Sequence, residues 1–451
     1  MEIKKLLIAN RGEIARRIIR TCRKRGIEVV AVYSDADQNL PYVKEADEAV
    51  RIGPPPVAQS YLNIDTIIRT AKEKKVDAIH PGYGLLSENA TFARQVEEAG
   101  IRFIGPSSEV IALMGDKVKA RQQMAAAGVP IVPGTPEGVK NVEEALIKAQ
   151  EIGFPVMLKA SAGGGGIGMI VCRSEDELSK AFPSTQGRAK AYFGDNTLFL
   201  EKYIEKPRHV EVQIVGDHKQ NVVHLFEREC SIQRRNQKVI EESLSPSISE
   251  KTRSRLYEAG VQAARAVGYT GVGTVEFLVD QDEQIYFLEM NTRLQVEHPV
   301  TEAITGLDLV ELQLDLAAGK LLPFSQEQIT ATGHGIEYRI YAEDPTTFMP
   351  SPGKIEVFTA PQGEGIRIDA GVEAGNEVTP FYDPMIAKLV VHGKDREETL
   401  QRSREALSAF QIEGIRTNLP LLKEITTDPQ FVSGKYDTHF LMNRTNSTRR
   451  N

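Results

Sequence analysis

Val156-Met157-Leu158-Lys159-Ala160-Ser161-Ala162-Gly163-Gly164-Gly165-Gly166-Ile167-Gly168 is the stretch on which the fold turns. An apolar strand carries a lysine straight into four consecutive glycines. With no Cβ atoms in the way, successive backbone N–H groups there can approach phosphate oxygens. A flexible linker has the same composition, but the strand-borne Lys159 adds a fixed cation and turns the segment into a phosphate cradle. It is not a Walker loop, because no Gly-Lys-Ser/Thr follows, and it is not a dinucleotide fingerprint after the first strand, where only Asn10-Arg11-Gly12-Glu13 stands.

On the N-terminal side of this cradle the chain alternates in an α/β manner. An apolar strand at 3–9, a helix at 13–25 and a strand at Val29 to Tyr33 predict a doubly wound start. A further strand, Val76 to Ile79, runs into His80-Pro81-Gly82-Tyr83-Gly84, where an open parallel sheet presents either ligand-binding groups or a plain turn. A helical stretch reaches Ala127, and the Pro- and Gly-punctuated link Val129 to Gly138 marks a boundary. Residues 204 to about 330 read as strand-rich. A β-rich portion follows beyond Gly333, with a helix near 396–409 and a polar tail, Asn443 to Asn451, expected to fray.

Two glutamates lie in neighbouring apolar strands, Glu276 in Thr274 to Leu278 and Glu289 in Phe287 to Asn291, joined by a turn at Asp280 to Glu283. With Asn291 they offer hard oxygen ligands on one face, as Mg²⁺ bridging nucleotide phosphates requires. Acids in such apolar runs are costly unless they meet a cation. Arg293 and Glu297 follow at a spacing of four, either an anion clamp with a base or a surface ion pair. The run Gln233-Arg234-Arg235-Asn236-Gln237-Lys238 is short and sits beside Glu241-Glu242, which suits anion positioning better than nucleic acid. His209, His224 and His298 show no metal-ligand spacing to one another.

Size and composition bound the rest. The 451 residues exceed one ordinary core and suggest about three packed units. A net charge of −7 argues against nucleic acid as a partner. The three scattered cysteines form no CxxC pair, which fits a reducing cytoplasm, and no apolar run is long enough for a membrane span.

Asn10-Arg11-Gly12-Glu13-Ile14-Ala15, His80 to Gly84 with Ser87-Glu88-Asn89, Met114-Gly115-Asp116-Lys117, the glycine loop, Glu289 through Pro299, and Pro350-Ser351-Pro352-Gly353 together resemble biotin carboxylase, nearly end to end. The resemblance implies a multidomain α/β and α+β protein with an ATP-grasp fold. Its parts would be a Rossmann-like N-terminal domain at 1–115, an ATP-grasp domain at 116–331 with a lid at about 133–203, a C-terminal domain at 332–446, and a tail at 447–451.

It further implies ATP contacts from Lys117, Lys159, Gly165, Gly166, His209 and Gln233, with adenine held by Glu201, Lys202, Tyr203 and Ile204. Two Mg²⁺ or Mn²⁺ ions would sit on Glu276, Glu289 and Asn291. Bicarbonate would lie between Lys238, Arg293, Val296 and Glu297, the last as base. Arg339, Tyr83 and Gln295 would face biotin. Asn236 stands where many members have His, and Ile167 where many have Arg. No Met-Lys-Met attachment site is present, so biotin is expected on a biotin carboxyl carrier protein or on a biotinylated carboxyltransferase partner. The Gly-Gly-Ile-Gly-Met loop and Ser184-Thr185-Gln186 resemble pyruvate carboxylase more than acetyl-CoA carboxylase. A homodimer is the implied assembly. Competing expectations are another ATP-grasp ligase, of the carbamoyl phosphate synthetase or purine-pathway carboxylase kind, and a non-catalytic ATP-binding regulator.

Overall fold

The computed structural model describes residues 2–160, 169–193 and 195–448. Gly165, Gly166 and Ile167, with the rest of the glycine loop, lie outside the described residues. Near the N-terminus, the buried apolar strands Lys5–Ile8, Glu28–Ser34 and Ala78–His80, flanked by two less buried edge strands, form a five-stranded parallel sheet, as such runs do when helices cover both sides. Its order is Glu48–Gly53, Glu28–Ser34, Lys5–Ile8, Ala78–His80 and Arg102–Phe103. The doubly wound expectation holds. The strand expected at 76–79 begins two residues later, and Glu48–Gly53, unforeseen, precedes it.

Strand order reverses about Lys5–Ile8, which puts the loops after it and after Ala78–His80 side by side at the carboxyl ends, where open α/β sheets bind ligands. Asn10 Nδ2 ties the two loops by donating to the Pro81 carbonyl at 2.7 Å and the Tyr83 carbonyl at 2.8 Å. Gly82 makes this possible: its φ is +63°, and a Cβ would meet Asn10 Nδ2 at 2.8 Å.

An eight-stranded antiparallel sheet runs Ile285–Asn291, Gly271–Val279, Arg208–Gly216, Val222–Arg234, Gln237–Ser243, His334–Tyr341, Met385–Gly393 and Ile366–Ala370. Arg235 and Asn236, with φ of 51° and 63°, form the two-residue connection that brings Gln237–Ser243 back beside Val222–Arg234. A three-stranded sheet, Met169–Cys172, Val156–Ala160 and Leu198–Lys202, packs its own core of Val156, Leu158, Leu178, Leu198 and Leu200 against the helices Val142–Ile152 and Glu175–Phe193. The expected fraying tail is corrected in part, since helix Phe440–Thr448 covers most of it. No helix among the described residues is long and apolar enough to cross a membrane.

Candidate active site

Glu276 and Glu289 stand directly opposite each other across their antiparallel strands, with Asn291 opposite Thr274. Like charges in that relation repel unless a cation is shared, so these oxygen donors fit a divalent ion. Glu276 is buried, and Glu289 opens to solvent in a cleft of about 180 Å³ lined also by Lys117 and Asn291. Desolvation by the cleft walls and the charge of Glu276 push Glu289 above the usual carboxylate range, against the pull of Lys117. Burial acts upward on Glu276 too, but Lys238 and His209 outweigh it and hold Glu276 well down.

His209 Nε2 lies 2.7 Å from Glu276 Oε2, and Gln233 Nε2 lies 2.6 Å from His209 Nδ1. Burial lowers the His209 pKa, yet the Glu276 carboxylate more than offsets this and leaves it raised. Spacing along the chain assigned His209 no metal partner. In space its ring joins Glu211 and Glu276, the ligand atoms lying within 4.8 Å of one another.

In the three-stranded sheet, register sets Lys159 beside Phe199 and next to Glu201, with which its ammonium pairs; Arg121 reaches the other Glu201 oxygen at 2.6 Å. Lys202 is turned to the carbonyls of Gly153 and Phe154, its backbone N–H donates to Pro133, and Tyr203 N–H donates to Pro155. Ile204 is buried. Lys117 opens the helix Lys117–Ala126, whose N-cap Asp116 accepts from Val118 and Lys119 N–H.

Lys238 is the hub. Its Nζ reaches Glu211 at 2.5 Å, Glu297 at 2.7 Å and Glu276 at 2.9 Å. Burial would lower its pKa, but these three carboxylates raise it far above the ordinary lysine value. Glu297 is held well below the usual range because Lys238 and Arg339 overcome its burial. Arg339 donates to Glu297 Oε2 at 3.0 Å and to Glu241 Oε1 at 2.6 Å. Arg293 and Glu297 are not partners: Arg293 pairs with Glu88 at 2.8 Å and donates to Asn291 Oδ1 at 2.8 Å.

Beside this hub opens a cavity of about 470 Å³ lined by Tyr83, Arg293, Val296, Arg339 and Phe381, among others. Tyr83 donates its hydroxyl to Glu13. Gln295 is absent from the cavity lining. It is buried behind it, donating to Glu276 at 2.7 Å and accepting from Arg228 at 2.6 Å.

The chain matches the biotin carboxylase N-terminal domain over residues 2–111, the carbamoyl-phosphate synthase L chain ATP-binding domain over 116–325 and the biotin carboxylase C-terminal domain over 337–443. A biotin carboxylase of Halalkalibacterium halodurans is 59% identical over 440 residues, 98% of this chain and 97% of the relative. The chain belongs to the biotin carboxylase family. It is also similar to a pyruvate carboxylase subunit of Methanothermobacter thermautotrophicus, at 51% identity over 97% of this chain and 89% of the relative. The biotin carboxylase domain dimer of Hydrogenobacter thermophilus 2-oxoglutarate carboxylase, solved with MgADP, ADP and bicarbonate, superposes with a TM-score of 0.93 at 49% identity, covering 98% of each chain. The ATP-grasp architecture therefore holds, with its parallel N-terminal sheet and antiparallel core.

Several residues of this biotin carboxylase site were not foreseen. Arg228 is fully buried, pairing with Glu211 at 2.6 Å and donating to Gln213, Thr274, Thr301 and Gln295. Glu88, Glu211 and Glu241 complete the pairs of Arg293, Lys238 and Arg339. Lys388 donates to the Val296 carbonyl at 2.8 Å and approaches Glu13 at 3.1 Å. A signal existed in Val210-Glu211-Val212-Gln213-Ile214, where polar groups alternate with buried valines, so both faces of the strand are enclosed and the polar one must face charge.

Proposed function

We propose that this biotin carboxylase uses MgATP and bicarbonate to carboxylate biotin held on a separate carrier protein. The observation that supports it is the Glu297 carboxylate, which is clamped between Lys238 and Arg339. The acid cluster that suits a metal–nucleotide lies on one side of it, and the Tyr83 cavity, roomy enough for a small bicyclic ring, on the other.

In this scheme Lys117, Lys159, His209 and Gln233 contact ATP, with Gly165 and Gly166, and Glu201 to Ile204 hold adenine. When bound, two Mg²⁺ or Mn²⁺ ions on Glu276, Glu289 and Asn291 would screen phosphate charge. Lys238, Arg293 and the Val296 backbone hold bicarbonate while Glu297 removes its proton. The freed oxygen attacks the γ-phosphorus and ADP leaves. The resulting carboxyphosphate breaks down to CO₂ and phosphate, and phosphate takes the ureido N–H proton. Arg339 stabilises the enolate-like ring, and the nitrogen attacks CO₂. The carrier is proposed to serve pyruvate carboxylation, on the strength of the Gly-Gly-Ile-Gly-Met loop and Ser184-Thr185-Gln186. The working assembly is proposed to be a homodimer.

ADP release is measured with MgATP, with and without bicarbonate and free biotin. Release that requires bicarbonate and rises with biotin is expected. Release indifferent to both, in folded protein, would point to a different ATP-grasp ligase, and nucleotide binding without any turnover would point to a regulator. For the acceptor, the carboxylated carrier is presented with pyruvate or acetyl-CoA in the presence of each transferase, and turnover with acetyl-CoA alone would overturn the pyruvate assignment.

A further inference from the structure

Register places Glu241 of strand Gln237–Ser243 directly opposite Glu337 of strand His334–Tyr341. Two acids therefore face each other at about 5 Å between Cβ atoms, a pairing that repels when both are ionised. Both side chains are fully buried. Among the described residues, no group donates to either oxygen of Glu337, and Glu241 Oε2 is equally without a partner.

The nearby cations are already committed. Arg339 directs Nε to Glu241 Oε1 and Nη2 to Glu297 Oε2, and no hydrogen bond from it reaches Glu337 among the described residues. Lys388, opposite Arg339 in the sheet, is held by the Val296 carbonyl and by Glu13. Lys238 is shared among Glu211, Glu276 and Glu297. Helix His298–Thr305 packs over these strands and brings no further charge to the pair: Glu302 is taken by Arg17 and Arg367, and burial together with Lys388 holds His298 neutral. A fully buried carboxyl that faces another and has no donor to either oxygen costs less with a proton on it than as a bare charge.

We propose that Glu337 is an un-ionised carboxylic acid that donates its proton to Glu241 Oε2, and that this bond makes Glu337 a positioning residue for Arg339. The proposal rests on the biotin-facing role of Arg339 given above. The chain of contacts runs from the Glu337 hydroxyl to Glu241, from Arg339 to Glu241 and Glu297, and from Lys238 to Glu297, so each carboxylate oxygen in line has one donor. Were Glu337 ionised, it would compete with Glu297 for the Arg339 guanidinium and draw it along the strand, away from the cavity. Titration directions agree. Burial pushes Glu337 far above the ordinary range, and the charges of Glu241 and Glu297 add to it against the pull of Lys388 and Arg339, while Glu241 rises only to about 7 because Arg339 opposes its burial. The proton of such a pair belongs to both, and Arg339 biases it toward Glu337.

The test compares the parent with Glu337→Ala and Glu337→Gln, each confirmed as folded by its melting profile. Losing a hydrogen bond to a charged group corresponds to about tenfold or more. Glu337→Ala is therefore expected to lower the biotin-stimulated rate by that factor with the KM for ATP unmoved, and Glu337→Gln, a neutral donor of the same shape, to rescue it. A Gln variant as slow as Ala would show that an ionised carboxylate is needed and overturn the proposal, as would an Ala variant as fast as the parent. Infrared difference spectra, parent minus Gln variant at neutral pH, are expected to show the carbonyl stretch of an un-ionised carboxyl; a carboxylate band instead refutes it. The infrared arm needs no turnover, so a parent chain without bicarbonate-dependent ADP release would sink the proposed function while leaving the proton on Glu337 decided separately.

Discussion

Replacing Glu297 with Gln removes one charge and one acceptor from the centre of the site while keeping its shape. In the parent, Glu297 accepts from Lys238 at 2.7 Å and from Arg339 at 3.0 Å. An amide can accept from only one of them and presents N–H to the other, so one charge-assisted bond is lost, about 1.5–3 kcal/mol. The larger loss is chemical, since an amide cannot take the bicarbonate proton, and positioned general bases contribute on the order of 10²–10⁴ in rate. Bicarbonate-dependent ADP release should therefore fall by that factor, equivalent to about 3–5 kcal/mol of barrier. ATP affinity, measured by calorimetry, should stay within a few-fold, because Lys159 pairs with Glu201 and the Glu276–Glu289 pair keeps both its acids, Glu276 reaching Glu297 only through the shared Lys238. Turnover within tenfold of the parent would remove Glu297 from the role of base. An equal loss of ATP affinity would show that the substitution collapsed the Lys238 hub instead.

Arg228→Met leaves Glu211 buried with Lys238 alone and releases Gln295, so denaturant unfolding should show a loss of about 3–5 kcal/mol; a shift under about 1 kcal/mol would show that the Arg228 network contributes little. Glu289→Gln should raise the Mg²⁺ concentration for half-maximal ADP release at least tenfold, about 1.4 kcal/mol, and an unchanged Mg²⁺ dependence would take Glu289 out of the metal site. Burial pushes Glu242 upward, but His334 and Arg396, each at 2.7 Å, prevail and bring it down to about 2. A pKa depressed in the folded state gives stability that is complete above the unfolded value near 4.5 and disappears as pH falls towards 2, on the order of 3 kcal/mol. Acid unfolding of Glu242→Gln should accordingly be flatter across that window, and an unchanged acid limb would contradict the assignment.

What could be read from the sequence was whatever local chemistry announces. Glu276 and Glu289 stood out because acids in apolar strands need a cation, and the structure sets them face to face. Lys159 stood out because it precedes glycines, and it lies in the small sheet beside Glu201. The parallel N-terminal sheet followed from periodicity alone. Partner choice was not legible, because it is fixed by register between strands far apart in the chain. Glu88 and Arg293 meet from positions 205 residues apart, Lys388 meets Glu13 from near the other end of the sequence, and Arg228 draws its partners from several separate elements. Taken alone, Arg339 in Glu337-Tyr338-Arg339-Ile340 reads as an exposed strand residue for the same reason: the enclosing strands and helix His298–Thr305 bury it.

Lys238 and Arg339 hold Glu297 so firmly ionised that it is a poor proton acceptor in the free protein, yet the proposed base must accept a proton from bicarbonate. The two demands are met by the substrate itself. An anion resting on Lys238 and Arg293 takes a share of the donors that now serve Glu297 and adds a negative charge beside it, and both changes raise the Glu297 pKa. In the proposed mechanism, base strength thus develops only when bicarbonate is in place. Without it, the same cations keep Glu297 unprotonated and aligned, so no proton has to be expelled before the reaction starts. The sharing of one ammonium among Glu211, Glu276 and Glu297 links the proposed metal side of the site to the proposed bicarbonate side. If the proposed metal sits on Glu276, its charge would release part of Lys238 to the incoming anion.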